Sequence, residues 1–372
     1  MIERIGIAGY RSVRSLILSL GQVNVVTGPN GSGKSNVYRA LRLLSETAQG
    51  RLGESIAREG GFDSIRWAGP KHNKKDPVGL RLGFAGLPHS YCLDLGLPIP
   101  ASSAFDHDPE MKRECLWRGA MMEAKFLCAD RRKTSLRCRL EKGAWQQVDL
   151  PLSRYGSMLT EYSDPFNAPE LIVAREAMAS WRFYDTFRVD VRAPARLASI
   201  GSFTPVLSGD GRDLAAALQT IREIGDHRGL DEVIDCAFPG SQVRVERRDA
   251  KMQLTLTQPG MLRNLSAAEL SDGTLRFLLL TAALLTPRPP ELLVLNEPEN
   301  SLHPDLMPAL AGLIRMAAAY SQIIVVSHNQ ALIDDLESSD ECVSIRLNKE
   351  NGATVIKDGD LLSRFGWKWP AR

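Results

Sequence analysis

One stretch of this sequence constrains the rest: Gly28-Pro29-Asn30-Gly31-Ser32-Gly33-Lys34-Ser35. Before it stands Val23-Asn24-Val25-Val26-Thr27, a short apolar run that reads as a buried strand. After it Val37, Ala40, Leu41 and Leu44 recur at helical spacing, predicting a helix from Lys34 to about Ala48. A glycine-rich loop between strand and helix lets backbone N–H groups converge on phosphate oxygens, and the helix N-terminus adds its positive dipole end. The spacing of two glycines, lysine and serine sets Lys34 to reach the β- and γ-phosphates and the Ser35 hydroxyl to ligate Mg²⁺.

Texture along the chain sorts the remainder into regions. The opening reads as strand, turn, strand ahead of Val23–Thr27. From about residue 78 short alternating runs appear, among them Leu80-Leu82-Phe84, Tyr91-Leu93-Leu95, Cys115-Trp117 and Ser135-Arg137-Arg139, separated by Gly, Pro, Asp and Ser. They predict an antiparallel meander inserted into the first half of the fold. Residues 165–200 are mixed and aromatic, with one helix from Pro169. Helical patterns over Asp213 to Ile224 and Leu230 to Ala237 lead to a hairpin, Gln242 to Arg247 with Met252 to Thr257. The last third returns to α/β: a helix from Gly273, a strand Leu292–Leu295, a helix after Pro304, a strand Ile323–Val326 and a helix after Asn329. We therefore expect a nucleotide-binding lobe formed by residues 1–75 and 289–372, an inserted β-rich region over 76–200 and a helical lobe over 201–288.

Composition excludes several alternatives. With 46 Lys and Arg against 44 Asp and Glu, the net charge is +2, too small for binding nucleic acid by bulk charge alone. The longest apolar run, Leu275 to Leu285, contains Arg276 and falls short of the ~20 residues a membrane span needs. The start, MIERIGIAGY, has no secretory pattern. Six scattered cysteines without a CxxC pair fit reduced thiols better than disulfides or zinc. A cytoplasmic protein without a membrane partner is expected.

Three further elements carry chemistry. In Leu292-Leu293-Val294-Leu295-Asn296-Glu297-Pro298-Glu299 an apolar strand delivers polar groups at its C-terminal tip. There one residue orients the metal and its waters, and the next activates the attacking water. Glu297 is the general-base candidate. Asn296 stands at the metal side, where most P-loop proteins carry Asp, and so lacks a full negative charge. In Leu270-Ser271-Asp272-Gly273-Thr274, Ser271 and the Gly273 amide sit at a helix N-terminus, a second anion site or an ordinary cap. Ser327-His328 closes a strand, where a neutral imidazole can hydrogen-bond a γ-phosphate.

The order of these elements resembles the ABC-type ATPase family, and more closely its RecF- and SMC-like branch. Gly9-Tyr10-Arg11-Ser12 before the loop, Ser35-Asn36 after it, the run Glu297 to Pro304 and Asp210-Gly211-Arg212-Asp213-Leu214-Ala215-Ala216 carry the resemblance. It covers residues 1–50 and 205–345 well, and 75–195 poorly. The resemblance implies a P-loop α/β head with an inserted antiparallel β-rich region and a helical signature lobe. It implies ATP and Mg²⁺ as cofactors, with Arg11 near the nucleotide, Gly28 to Ser35 around the phosphates, Ser35 and Asn296 at the metal, and Glu297 and His328 at the reacting end. Ser271 and Gly273 would touch the γ-phosphate held by a second copy, with Asn300 to His303 as the loop between subunits. Two heads would then pair head to tail around two ATP molecules. The family's Q-loop glutamine has no placed counterpart, since Gln146 and Gln147 lie in the unmatched region.

Partners follow less directly. Basic clusters at Lys71, Lys74 and Lys75, at Arg131, Arg132, Lys133, Arg137 and Arg139, and at Arg244, Arg247, Arg248 and Lys251 read either as a DNA-facing groove or as solvated strand faces. The tail Phe365-Gly366-Trp367-Lys368-Trp369-Pro370 reads as packing on its own core or as a docking segment. Asp106-His107-Asp108 reads as surface. The resemblance favours an ATPase in DNA maintenance or antiphage defence. Asn296 and the unmatched region favour a slow, ATP-gated scaffold controlling a protein effector.

Overall fold

A computed structural model of the chain describes residues 1–70, 79–99, 103–185, 187–357 and 367–371. Its elements fall into two units. Met1–Gly21, Val26–Trp181 and Val343–Arg372 make the first, and Gln22–Val25 with Arg182–Cys342 make the second.

In the first unit the opening hairpin, Ile2–Tyr10 with Val13–Ser19, cannot be stable alone, because two strands bury too little. Its alternating apolar residues recruit the meander. Leu80–Gly86 pairs antiparallel with Ile2–Tyr10, setting Phe84 opposite Ile5 and Leu82 opposite Ile7. His89–Gly96, Glu110–Arg118, Leu127–Arg132, Ser135–Arg139 and Trp145–Gln147 follow in order, giving eight antiparallel strands among the described residues. The antiparallel strands expected from about residue 78 are found, and they extend the opening hairpin into one sheet. The helix Lys34–Ala48 buries Val37, Ala40, Leu41 and Leu44, and its Ser45 hydroxyl donates to the Met178 carbonyl of the helix Pro169–Ser180.

The meander buries charge as ion pairs, Arg113 with Asp130 and, deeper, Arg131 with Glu114. Arg131 Nη1 lies 2.7 Å from Glu114 Oε2, and both side chains are fully buried. Glu114 also accepts from the Tyr91 and Ser157 hydroxyls and the Met158 amide. Arg131 is therefore no surface cation, correcting its place in the basic cluster. Arg137 is tied to Asp130 at 2.8 Å and lies over the Trp145 ring, as does Arg139. At the C-terminus, Trp367 packs edge-on to Trp117 and Trp369, beside Cys92, Cys115 and Leu127. Only a glycine at position 6 admits it, since a Cβ there would lie 2.5 Å from the Trp367 ring. The described tail packs on its own core; Phe365, Gly366 and the lysines at 71, 74 and 75 lie outside the described residues.

The second unit is α/β. Arg182–Tyr184, Leu292–Asn296 and Gln322–Val326 run parallel in that order, and Gln22–Val25 joins at the far side through Asn24, whose amide donates to the Ile323 carbonyl. Leu292–Leu295 and Ile323–Val326 are buried on both faces, as parallel strands covered by helices must be. The helices Leu214–Ile224, His227–Ala237, Asp272–Leu284 and Met307–Ala318 share this core. Gln242–Arg248 and Lys251–Thr257 form the expected hairpin, with Arg248 opposite Lys251. Among the described residues no helix is long and apolar enough to cross a membrane.

Candidate functional site

In the first unit the loop after Thr27 is shaped by glycines in backbone conformations closed to other residues. Gly33 has φ 105°, and a Cβ there would sit 2.2 Å from Thr354 Oγ1; at Gly28, φ 147°, it would sit 2.3 Å from the Leu347 carbonyl oxygen. The loop is closed by the Ser32 amide donating to the Pro29 carbonyl, and the helix begins at Lys34. The Lys34 ammonium curls over the loop to the Gly28 carbonyl at 2.6 Å and the Pro29 carbonyl at 3.3 Å. The Ser32 hydroxyl oxygen is buried and lacks a partner among the described residues.

Ser12 braces this loop through hydrogen bonds with Thr354 at 2.7 Å and Asn36 at 2.8 Å. Its neighbour Arg11, at φ 47°, reaches Glu59 at 2.7 Å. Tyr10 donates to the same carboxylate at 2.6 Å, and burial with the Glu59 charge pushes its phenol pKa well up.

In the second unit the three parallel strands end together, and their C-terminal tips carry the polar residues. Open α/β sheets bind ligands at this edge. Leu292–Asn296 delivers Asn296 and Glu297; Glu297 takes φ 48°, unusual for a residue with a Cβ. Its Oε2 accepts from Asn300 Nδ2 at 2.8 Å, and its Oε1 lies 3.8 Å from His328 Nδ1. Half-exposed His328 is also 3.5 Å from Glu299 Oε1. Glu299 is almost fully buried, and this one oxygen accepts from the Ser327 hydroxyl and the His328 and Asn329 amides. Glu299 thus locks the acid strand's exit to that of Gln322–Val326, leaving the Glu297 carboxylate and His328 imidazole facing one another.

Beneath them lies Arg276, which is 1% exposed. Its guanidinium donates to the Glu297 carbonyl at 3.0 Å and approaches the Pro298 and Phe187 carbonyls at 3.5 Å. Burial lowers its pKa, opposed by the charges of Glu299, Asp185 and Glu297. The signature residues sit where a helix begins. Ser271 caps Asp272–Leu284, accepting from the Thr274 amide, and Gly273 approaches the Ser301 carbonyl so closely that a Cβ would lie 2.9 Å from it. Ser271, Gly273 and Thr274 line a cleft of about 640 Å³ with Ser301 to Leu306. Arg196, 6% exposed, pins the preceding turn, reaching the Leu270 carbonyl at 2.7 Å and Asp272 at 2.6 Å.

The anticipated residues thus form two groups, Arg11 with Gly28 to Ser35 in one unit, and Ser271, Gly273, Asn296, Glu297 and His328 in the other. Sequence reading missed Asp185, Arg196, Arg276 and Glu299. Arg276 left a signal, a lone cation within an apolar run that must bury with partners. His107 and Asp108 are exposed and Asp106 is half-buried, and His107 contacts Asp63. No group of three or more His, Cys, Asp or Glu among the described residues forms a metal cage of its own. Mg²⁺ does not require one, since it is commonly held by one or two protein groups together with substrate phosphates. The buried, unpartnered Asn296 Oδ1 is an oxygen such an ion or its water would satisfy.

This is a P-loop ATPase fold of the SMC-head kind. An SMC head solved bound to the C-terminal winged-helix domain of ScpA matches at 14% identity and a TM-score of 0.51, over 96% of this chain and 97% of that one. The SMC head domain from Thermotoga maritima aligns at 14% identity over 96% of this chain and 98% of that one, with a TM-score of 0.45. Residues 23–334 match the family described as AAA domain, putative AbiEii toxin, Type IV TA system, and the chain belongs to it. No curated protein matches the chain.

Proposed function

We propose that the chain binds ATP with Mg²⁺, pairs head to tail with a second copy around the nucleotide, and hydrolyses it slowly. The observation that carries this reading is the Gly28–Ser35 loop, whose left-handed glycines feed the N-terminus of Lys34–Ala48 within a chain of an ATPase family. In this reading the loop amides and Lys34 hold the phosphates, with Arg11 beside the nucleotide. Ser35 would offer its hydroxyl and Asn296 its carbonyl oxygen to the cation, which when bound would neutralise developing charge on the transferred phosphoryl group. Glu297 accepts a proton from the attacking water as the water oxygen bonds to the γ-phosphorus and the bond to ADP breaks. Asn300 orients that carboxylate, and His328 offers its ring to the departing phosphate.

Head-to-tail pairing draws support from the second unit, where Ser271 and Gly273 share one cleft with the loop after the acid. A nucleotide bridging two copies would bring that cleft against a partner's phosphates. The output is a change of dimer state. Loss of the metal-side carboxylate at Asn296 supports slow turnover, and with it the second reading, an ATP-gated scaffold for a protein effector. The SMC head in complex with ScpA supports a protein partner, and the family's description as a putative AbiEii toxin of a type IV TA system supports a toxin setting over DNA maintenance. Exposed Arg248 and Lys251 on the Gln242–Thr257 hairpin support a DNA partner.

Fluorescent ATP binding and phosphate release, with Lys34→Ala and Glu297→Gln alongside, test the core of this reading. Lys34→Ala should lose nucleotide affinity, and Glu297→Gln should keep affinity and lose turnover. Stimulation by DNA would favour DNA maintenance; stable dimers with negligible turnover and no DNA effect would favour the scaffold. Equal binding by wild type and Lys34→Ala would contradict the proposed site.

A further inference from the structure

Asn296 leaves the acid strand without the carboxylate a divalent cation would use, yet a carboxylate stands one hydrogen bond away. Arg182–Tyr184 runs parallel to Leu292–Asn296 with Tyr184 opposite Leu295, so the next residues, Asp185 and Asn296, leave the sheet side by side. Asn296 Nδ2 lies 2.8 Å from Asp185 Oδ1. An ionised carboxylate only accepts hydrogen bonds, so the amide must turn its NH₂ towards Asp185 and its oxygen away. That oxygen is buried and has no partner among the described residues. Arg276 steadies both exits, donating to the Glu297 carbonyl and approaching that of Phe187, and it faces the charges of Asp185, Glu297 and Glu299.

We propose that Asp185 and Asn296 act as one unit at the cation position of this chain. Asn296 presents its carbonyl oxygen to Mg²⁺ or to a water on it, and Asp185 supplies the missing negative charge from behind the amide. A carboxylate hydrogen-bonded to a ligating group fixes that group's orientation and raises its basicity, and losing such a partner typically costs about 10–100-fold in metal affinity. The pair thus returns, at one hydrogen bond's remove, part of the charge a single aspartate would bring to the cation. This inference rests on the ATP-binding reading above and adds to it the residue that carries the charge.

A charge exchange tests it. Mn²⁺ serves as the probe, its free concentration followed by electron paramagnetic resonance in the presence of a non-hydrolysable ATP analogue. Nucleotide binding in EDTA is measured in parallel. Asp185→Asn should weaken Mn²⁺ retention about 10–100-fold while leaving metal-free nucleotide binding within about twofold of wild type. Asn296→Asp alone sets two carboxylates at hydrogen-bond distance and should bind Mn²⁺ no more tightly than wild type. The double exchange, Asp185→Asn with Asn296→Asp, reverses donor and acceptor in the same hydrogen bond and should restore affinity to within a few-fold of wild type. Unchanged Mn²⁺ retention in Asp185→Asn, or a double variant no better than that single one, would overturn the proposal even if nucleotide still binds. A wild-type chain that binds no nucleotide in EDTA or in Mn²⁺ would overturn the ATPase reading, and this inference with it.

Discussion

Arg196 offers the sharpest test of how the signature turn is held. Its guanidinium donates to the carbonyls of Val189, Asp190, Ala267, Ala268 and Leu270, at 2.7 to 3.3 Å, and to Asp272. Asp272 is 60% exposed, so that ion pair contributes at most about 1 kcal/mol. The larger contribution comes from the carbonyls. Arg196→Met fills much of the volume but leaves them without a donor, and each buried orphan costs about 1–3 kcal/mol. Some will turn to water, so a net loss of about 3–5 kcal/mol is expected, in line with removing one partner of a buried charged network. At about 2–4 °C per kcal/mol for units of this size, Tm should fall by roughly 10 °C. Lysine cannot reproduce the planar fork, and Arg196→Lys should recover less than half of the loss. Thermal melts give the magnitude, and hydrogen exchange over residues 265–275 gives the location. A variant melting within about 2 °C of wild type, with unchanged exchange at Ala267 to Asp272, would refute the view that Arg196 holds the signature turn.

Other outcomes follow from the same geometry. Gly33→Ala combines a left-handed backbone with a contact on Thr354 and should cost about 1–3 kcal/mol, read from urea melts, and abolish fluorescent-nucleotide binding. Glu114→Ala strands the buried Arg131 and should cost about 3–5 kcal/mol in the same melts, with no direct effect on nucleotide affinity. Burial pushes the thiols of Cys128 and Cys342 up to about 11, so their thiolate fraction near pH 8 is about one in a thousand. Alkylation followed by mass spectrometry should modify exposed Cys236 first, and labelling of Cys128 and Cys342 should rise about tenfold per pH unit up to their pKa.

Elements with strong local chemistry were legible in the sequence. The helix predicted from Lys34 to Ala48 is found at those bounds, because loop glycines, a lysine start and apolar spacing all agree. The α/β third was legible for the same reason, its strands being uniformly apolar and its turns polar. Residues 165–200 were legible only in part: the helix expected from Pro169 is found as Pro169–Ser180, but the strand after it was not read. Arg182–Tyr184 is three residues long and carries no alternation, so its parallel pairing is set by the Leu292–Asn296 strand rather than by its own sequence. That hid Asp185, whose position beside Asn296 arises only once the strands are in register. Glu299 stood in a quoted motif without a role, because its partners Ser327, His328 and Asn329 come from a different strand exit. Arg131 misled as part of a basic run: its partner Glu114 lies on the neighbouring strand, and only the pairing reveals the buried pair.

In the reading proposed above, nucleotide joins two copies of this chain. The most direct test is the solution mass of the Glu297→Gln variant with and without ATP and Mg²⁺, with Lys34→Ala as the control that should not respond. The chain has a mass of 41.0 kDa, so a shift to twice that value with ATP, reversed by removing nucleotide, is predicted. A mass that stays at one chain while ATP is demonstrably bound would contradict head-to-tail pairing.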